Sequence, residues 1–249
     1  NERGVGEGIR TCGLKREEVF VTTKLDAFIK DYDGTQAAIE GSLERLGLDY
    51  IDLMIIHAPQ PWTSFREDDH YFEGNLAAWC AMEKAYKAGR LRAIGVSNFQ
   101  QVDIENLLQN GDVRPMVNQI LAHVSNTPFP LIDYCREHDI LVEAYSPMGH
   151  GEMMKNRLAQ DMANRYGVSV AQLCIRYCLQ LNMLPLPKTA NPKHMESNAE
   201  VNFEISAQDM EILKNVERIK NYGEASLFPV YGGKMDEEGN CTPRDFFKE

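Results

Sequence analysis

Residues 42–61 read SLERLGLDYIDLMIIHAPQP, and three signals in this stretch decide the fold. The end of a helix comes first. Residues 35–46 carry apolar side chains at 38, 39, 43 and 46, a helical period, and Gly47 follows as the stop. Residues 51–57, IDLMIIH, are almost wholly apolar, as expected of a strand covered on both faces. That strand closes on a histidine and opens into a proline-containing loop. A helix, a tight stop, a doubly buried strand and a polar strand end make one repeat of an α/β chain with parallel strands.

The same repeat extends outward in both directions. Upstream, residues 5–12 read as a helix closed by Gly13, and 19–25, VFVTTKL, as a β-branched strand. Downstream, a loop over 58–74 leads into a helix at 76–88 stopped by Gly89, a strand at 93–97 and a helix at 100–108. A strand at 116–120, a helix at 131–137 and a strand at 140–145 follow. Helical patterns at 158–166 and 170–181, a strand at 183–186 and small helices from Pro192 and Ala207 complete the series, and the tail from Asn221 reads as an irregular surface segment. No linker interrupts this order, so 1–249 reads as a single domain. No G-x-G-x-x-G turn joins a strand to a helix, which weighs against a dinucleotide-binding open sheet and for a barrel. A (β/α)8 TIM barrel needs eight strands. Six are legible and the chain opens on a helix that would follow a strand, so the expectation is a barrel domain whose first two strands precede Asn1.

Composition narrows the function classes. Of 249 residues, 43% are hydrophobic and 25% charged, a globular balance that excludes a disordered chain. Twenty-six basic against 37 acidic residues give a net charge of −11, a field that repels nucleic acid. No apolar run is long enough to span a membrane, and no signal or transit pattern opens the chain, so a cytoplasmic protein is expected. Cysteines at 12, 80, 135, 174, 178 and 241 include no C-x-x-C pair, which points to reduced, mostly buried thiols and no metal site.

In a parallel barrel, chemistry collects at the carboxyl ends of strands. The residues there are Lys24, His57, Ser97–Asn98, Gln119, Tyr145–Ser146 and Lys188–Thr189. Any one of them is accounted for by a strand reaching solvent; six successive polar strand ends point to a site. A desolvated lysine lowers the pKa of a neighbouring acid, and a histidine donates a hydrogen bond to developing negative charge, so Lys24 and His57 suit polarisation of a substrate oxygen. A strand-end lysine also suits Schiff-base chemistry in a phosphate-binding barrel lyase, but that reading leaves Ser97, Asn98, Gln119 and Tyr145 without a role.

VFVTTKL (19–25), SLERLGLDYIDLMIIHAPQP (42–61), KAGRLRAIGVSNF (87–99), VNQI (117–120), EAYSPMGHGE (143–152) and LPLPKTANP (184–192) closely resemble the aldo-keto reductase family, in order and across the chain. SLFPVYGG (226–233) is similar to the short tail loop of microbial, 2,5-diketo-gluconate-reductase-like members. The resemblance implies a TIM barrel that binds NADPH and reduces aldehydes and ketones to alcohols by hydride transfer. On it, Lys24 and His57 match the catalytic lysine and histidine. Ser97, Asn98 and Gln119 match the residues that hold the nicotinamide carboxamide, and Tyr145 the ring that stacks on the nicotinamide. Ser146, Met148 and Gly149 match the loop near the pyrophosphate, Lys188 and Thr189 the pair on the adenosine 2′-phosphate, and Asn198 an adenine contact. His194 stands where the family usually places an arginine. An imidazole lacks the guanidinium's planar array of donors, so weaker discrimination of NADPH from NADH is expected.

Trp62 and Phe65, in the loop after His57, are candidates for one aromatic wall of the substrate pocket. The expected partner is a small carbonyl compound, with no nucleic acid and no membrane, bound by a monomer or weak homo-oligomer. The family's proton-donating tyrosine and the aspartate that pairs with its lysine lie just before an Asn-Glu like Asn1–Glu2. Tyr32, Tyr50, Tyr71 and Tyr145 do not fit that role. Reduction is therefore expected of the complete protein and little of residues 1–249 alone. The alternative is a catalytically inactive NADP(H)-binding regulatory or sensor protein on the same scaffold.

Overall fold

A run of four apolar residues has nowhere to go but the interior, and β2 (Leu53–Ile56) is buried at every position. Burying each of these side chains is worth about 1.5–3 kcal/mol relative to exposure. The computed structural model describes residues 1–243, which divide into two compact units, Asn1–Asn118 and a second that begins at Gln119.

In the first unit, α1 (Glu2–Thr11) precedes β1 (Thr22–Leu25), α2 (Tyr32–Leu46), β2, α3 (Phe72–Lys87), β3 (Ile94–Ser97) and α4 (Gln101–Asn110). β1, β2 and β3 are adjacent and parallel, with Lys24 opposite Ile55 and Ile55 opposite Gly95. β4 (Val117–Leu121) begins here, beside β3: the Met116 N–H donates to the Ile94 carbonyl at 2.9 Å. Gly95 is required by that approach, because a Cβ on it would sit 2.7 Å from the Val117 carbonyl oxygen. α2 starts where Asp31 accepts from the Gly34 N–H and stops at Gly47, whose φ of 65° is the left-handed cap the sequence indicated.

β1 is shorter than the β-branched run 19–25. Arg16–Glu18 form a 3-10 turn ending at Val19, and the Val21 N–H donates to the buried Asp52 carboxylate at 2.9 Å. Asp52 also accepts from Arg16 at 2.6 Å. A carboxylate inside an apolar strand pattern is thus explained by the charge and amide that meet it.

In the second unit, β4 continues into α5 (Phe129–Glu137), β5 (Leu141–Tyr145), α6 (Arg157–Tyr166), α7 (Val170–Gln180), β6 (Leu184–Leu186), α8 (Pro192–Ala199) and α9 (Ala207–Lys214). β5 and β6 are parallel, with Tyr145 opposite Leu186. Ser169 and Gln172 form a capping box at the start of α7, whose inner face buries Leu173, Cys174, Tyr177 and Cys178. Burial pushes the Cys174 thiol up to about 12 and raises that of Cys178, so neither is poised to react. Cys135 is buried as well, whereas Cys12 is exposed.

The tail differs from its sequence reading. Tyr222, Ala225 and Tyr231 are buried and pack with Leu121, Tyr145, Ile219 and Val230, because its aromatic rings carry more apolar area than an open loop leaves in water. A short antiparallel pair, β7 (Lys234–Met235) with β8 (Cys241–Thr242), follows.

Candidate active site

Each functional side chain of the first unit is set by the strand it ends. Lys24 lies near the carboxyl end of β1, and His57 directly follows β2, its N–H donating to the Leu25 carbonyl at 3.0 Å. Ser97 closes β3 and is buried, and Asn98 follows it at φ 61°. Asparagine tolerates the left-handed region better than most residues. That turn aims the Asn98 amide back across the sheet, where Nδ2 donates to the His57 carbonyl at 3.0 Å and to Ser97 Oγ at 3.1 Å. Lys24, His57, Ser97 and Asn98 are thus gathered at three adjacent strand ends.

The electrostatics of this cluster are asymmetric. Burial, reinforced by the Lys24 ammonium and only partly opposed by Asp26, lowers the His57 pKa to about 4. At neutral pH the ring is therefore an uncharged imidazole with one N–H to give, which suits orientation of a carbonyl oxygen better than protonation of it. Trp62 meets the His57 ring edge-on with centroids 4.9 Å apart, and Phe65 packs on Trp62 at 5.3 Å. The two aromatic candidates therefore belong to one surface with His57.

The second unit holds the remaining candidates. Gln119 is buried, and its Nε2 donates to the buried Glu143 carboxylate on β5 at 2.7 Å. Tyr145 is half-buried against the tail cluster. Ser146 follows β5 at φ 52°, and its hydroxyl bonds the Tyr231 hydroxyl at 2.6 Å. Gly149 adopts φ 56°, and Met148 precedes it at the start of a 3-10 stretch, Gly149–Lys155. Asn98 and Ser146 occupy equivalent places, the first residue after a strand, and both are left-handed; held strain of this kind concentrates at functional positions.

Lys188 and Thr189 follow β6 and lead into α8. Thr189 Oγ1 accepts from the Asn191 N–H at 3.1 Å, and Asn191 Oδ1 caps the Lys193 N–H at 3.0 Å. Lys188, Lys193 and His194 are exposed and Asn198 is half-buried, on a helix with no buried residue.

Glu143 and Tyr231 escaped sequence reading. Glu143 left a signal, a carboxylate in the apolar run ILVEAY that has to find a partner. Tyr231 left none, since it meets Ser146 across 85 residues of chain. Among the described residues no group of three or more His, Cys, Asp or Glu is placed to hold a metal ion, and no helix is long and apolar enough to cross a membrane.

Residues 1–218 match the model of the "Aldo/keto reductase family". The chain is 40% identical over 224 residues to glyoxal reductase of Bacillus subtilis (strain 168), covering 90% of this chain and 77% of that protein. Among solved structures it resembles MGS-M4, an aldo-keto reductase enzyme from a Medee basin deep-sea metagenome library, with a TM-score of 0.80 and 33% identity over 87% of this chain and 78% of that one. A Bombyx mori aldo-keto reductase in complex with NADP matches with a TM-score of 0.79 and 33% identity, over 90% of this chain and 78% of that one.

Proposed function

The chain belongs to the aldo/keto reductase family and has that family's fold, which makes it an oxidoreductase, and we propose that it reduces a small aldehyde or ketone with NADPH. The observation that carries this reading is His57, held uncharged beside Lys24 and under Trp62 at the end of a buried strand. The His57 N–H donates to the carbonyl oxygen and fixes its direction. The Lys24 ammonium stabilises the negative charge that grows on that oxygen and lowers the pKa of the group that protonates it. Trp62 and Phe65 exclude water from the carbonyl and favour small or flat substrates.

The donor chemistry of the remaining residues fits a pyridine dinucleotide phosphate. In the first unit the Ser97 hydroxyl and the Asn98 amide, and in the second the Gln119 amide, each offer donors and acceptors of the kind a neutral carboxamide takes. Glu143, by accepting from Gln119 Nε2, fixes which end of that amide faces outward. The Tyr145 ring offers a stacking face, and Ser146, Met148 and Gly149 would hold the pyrophosphate. Lys188 and Thr189 offer a cation and a hydroxyl to a 2′-phosphate at the start of a helix, and Asn198 would offer its amide to the adenine. When bound, NADPH supplies a hydride to the carbonyl carbon while the oxygen gains a proton, giving the alcohol and NADP⁺. His194, in place of an arginine, leaves Lys188 as the main source of preference for NADPH over NADH.

On this reading the oxygen is protonated by a group whose pKa the Lys24 ammonium lowers. The test is an assay of NADPH consumption by the full-length protein against glyoxal and aromatic aldehydes, beside a coenzyme titration. Turnover together with tight coenzyme binding is expected. Coenzyme binding without turnover would replace the reductase with a sensor.

A further inference from the structure

The loop from Ala58 to Tyr71, which carries Trp62 and Phe65, is fastened at both ends by one pair of side chains outside the site just described. Lys30, in the turn between β1 and α2, donates through Nζ to the Ala58 carbonyl and to Asn75 Oδ1, each at 2.8 Å. Asn75, fully buried in the first turn of α3, donates through Nδ2 to the Pro59 carbonyl at 2.8 Å and to the His70 carbonyl at 3.0 Å. Three loop carbonyls that would otherwise be lost to water are thus satisfied, two immediately after His57 and one where α3 begins. Gly74 lets α3 approach closely enough: a Cβ there would lie 2.8 Å from the Lys30 carbonyl oxygen and 2.9 Å from its Cβ. His70, at the far end of the loop, is paired with the buried Asp103 at 2.6 Å.

From this geometry we propose that Lys30 and Asn75 are positioning residues for carbonyl reduction: they clamp the aromatic loop and so hold Trp62 against His57. The proposal rests on the reductase reading for its consequence but not for its geometry. Burial lowers the Lys30 pKa to about 7 despite the opposing charges of Asp103 and Asp26, the cost of keeping an amine inside to do this. Trp62 contributes to the covering that keeps water from His57, so loosening the clamp rehydrates the imidazole as well as widening the pocket.

The test is the titration of His57, followed by NMR of histidine-labelled protein, with the resonance assigned by its loss in His57→Gln. In Lys30→Met, which keeps the chain length and removes both donations, the His57 pKa is expected to rise from about 4 by about one unit or more towards its ordinary value. Asn75→Asp, which keeps an acceptor for Lys30 but donates to neither Pro59 nor His70, is expected to shift it in the same direction and serves if Lys30→Met fails to fold. The KM for an aromatic aldehyde should rise about tenfold in both, with kcat changed less. A His57 titration unchanged in both variants overturns the clamp. The titration needs neither coenzyme nor substrate, so a full-length wild type without turnover would count against the reductase reading while the His57 shift still decides this one.

Discussion

The strand ends around His57 and the segment from Lys188 to Asn198 represent two ways of building a polar site. At the first, Ser97 and Asn98 are buried, the imidazole is dehydrated, and the Asn98 amide is directed by its hydrogen bonds to the His57 carbonyl and Ser97. At the second, no residue of α8 is buried and the groups offered are a lysine, a threonine and capped helix amides in contact with water. Desolvation makes the first region strong over short distances and intolerant of change. Exposure leaves the second with point charges that act through a screened field.

That contrast is broken most severely at its buried end. Replacing Lys24 with Met in the full-length protein should cost about 10²–10⁴-fold in kcat while NADPH still binds, which fluorescence titration would register. Turnover that survives the change removes Lys24 from the mechanism.

At the exposed end, Lys188→Ala should weaken NADPH by about tenfold or more and leave NADH almost unaffected, measured as the ratio of the two Kd values. Raising salt should reproduce part of that loss in the wild type and none of it in the variant. A salt-insensitive preference for NADPH would mean that the phosphate is held elsewhere.

Acid sharpens the comparison further, because the buried histidines have depressed pKa values. His57 and His123 are each pushed down to about 4, mainly by burial, with Lys24 and Arg218 respectively adding to the effect. Between about pH 6.5 and 4 the unfolded chain binds protons that the folded one does not, so stability present above 6.5 falls as the pH is lowered through that window. Urea midpoints across the window should decline in the wild type and decline less in His57→Gln and in His123→Gln. An equal slope in all three would refute the assigned burial effect.

The smallest change is expected from Tyr231→Phe, which leaves the Ser146 hydroxyl without its 2.6 Å partner. Loss of one such hydrogen bond is worth about 1 kcal/mol. Coenzyme Kd should move by no more than about tenfold, in either direction, by isothermal titration calorimetry.

Much of the buried region was legible because local rules produce it. The apolar run Leu53–Ile56 has to be a covered strand, Gly47 has to end a helix, and the polar residue that follows each strand has to surface at its carboxyl end. The motifs around Lys24, His57 and Ser97–Asn98 therefore fell on the strand ends where they were expected. Strand bounds were less legible: Val19 and Val21 look like strand residues, but Val19 pairs with Arg16 and the Val21 N–H turns to Asp52, leaving only the Val21 carbonyl bonded to β2. The tail was misread as surface because its aromatics reveal their burial only once Tyr145 and Leu121 are there to pack against.

By itself the amino-acid order determined the alternation of helices and strands, the class of fold and the residues presented at the strand ends, since hydrophobic period and helix stops act over a few neighbouring residues. Only the tertiary structure decided that Asn75 gathers the carbonyls of Pro59 and His70, that Lys30 joins it, that Glu143 takes up Gln119 and that Tyr231 holds Ser146. The physical reason is that a buried polar group must find a partner wherever the fold brings one within reach, and these partners stand from five to 85 residues away, where no local pattern records them.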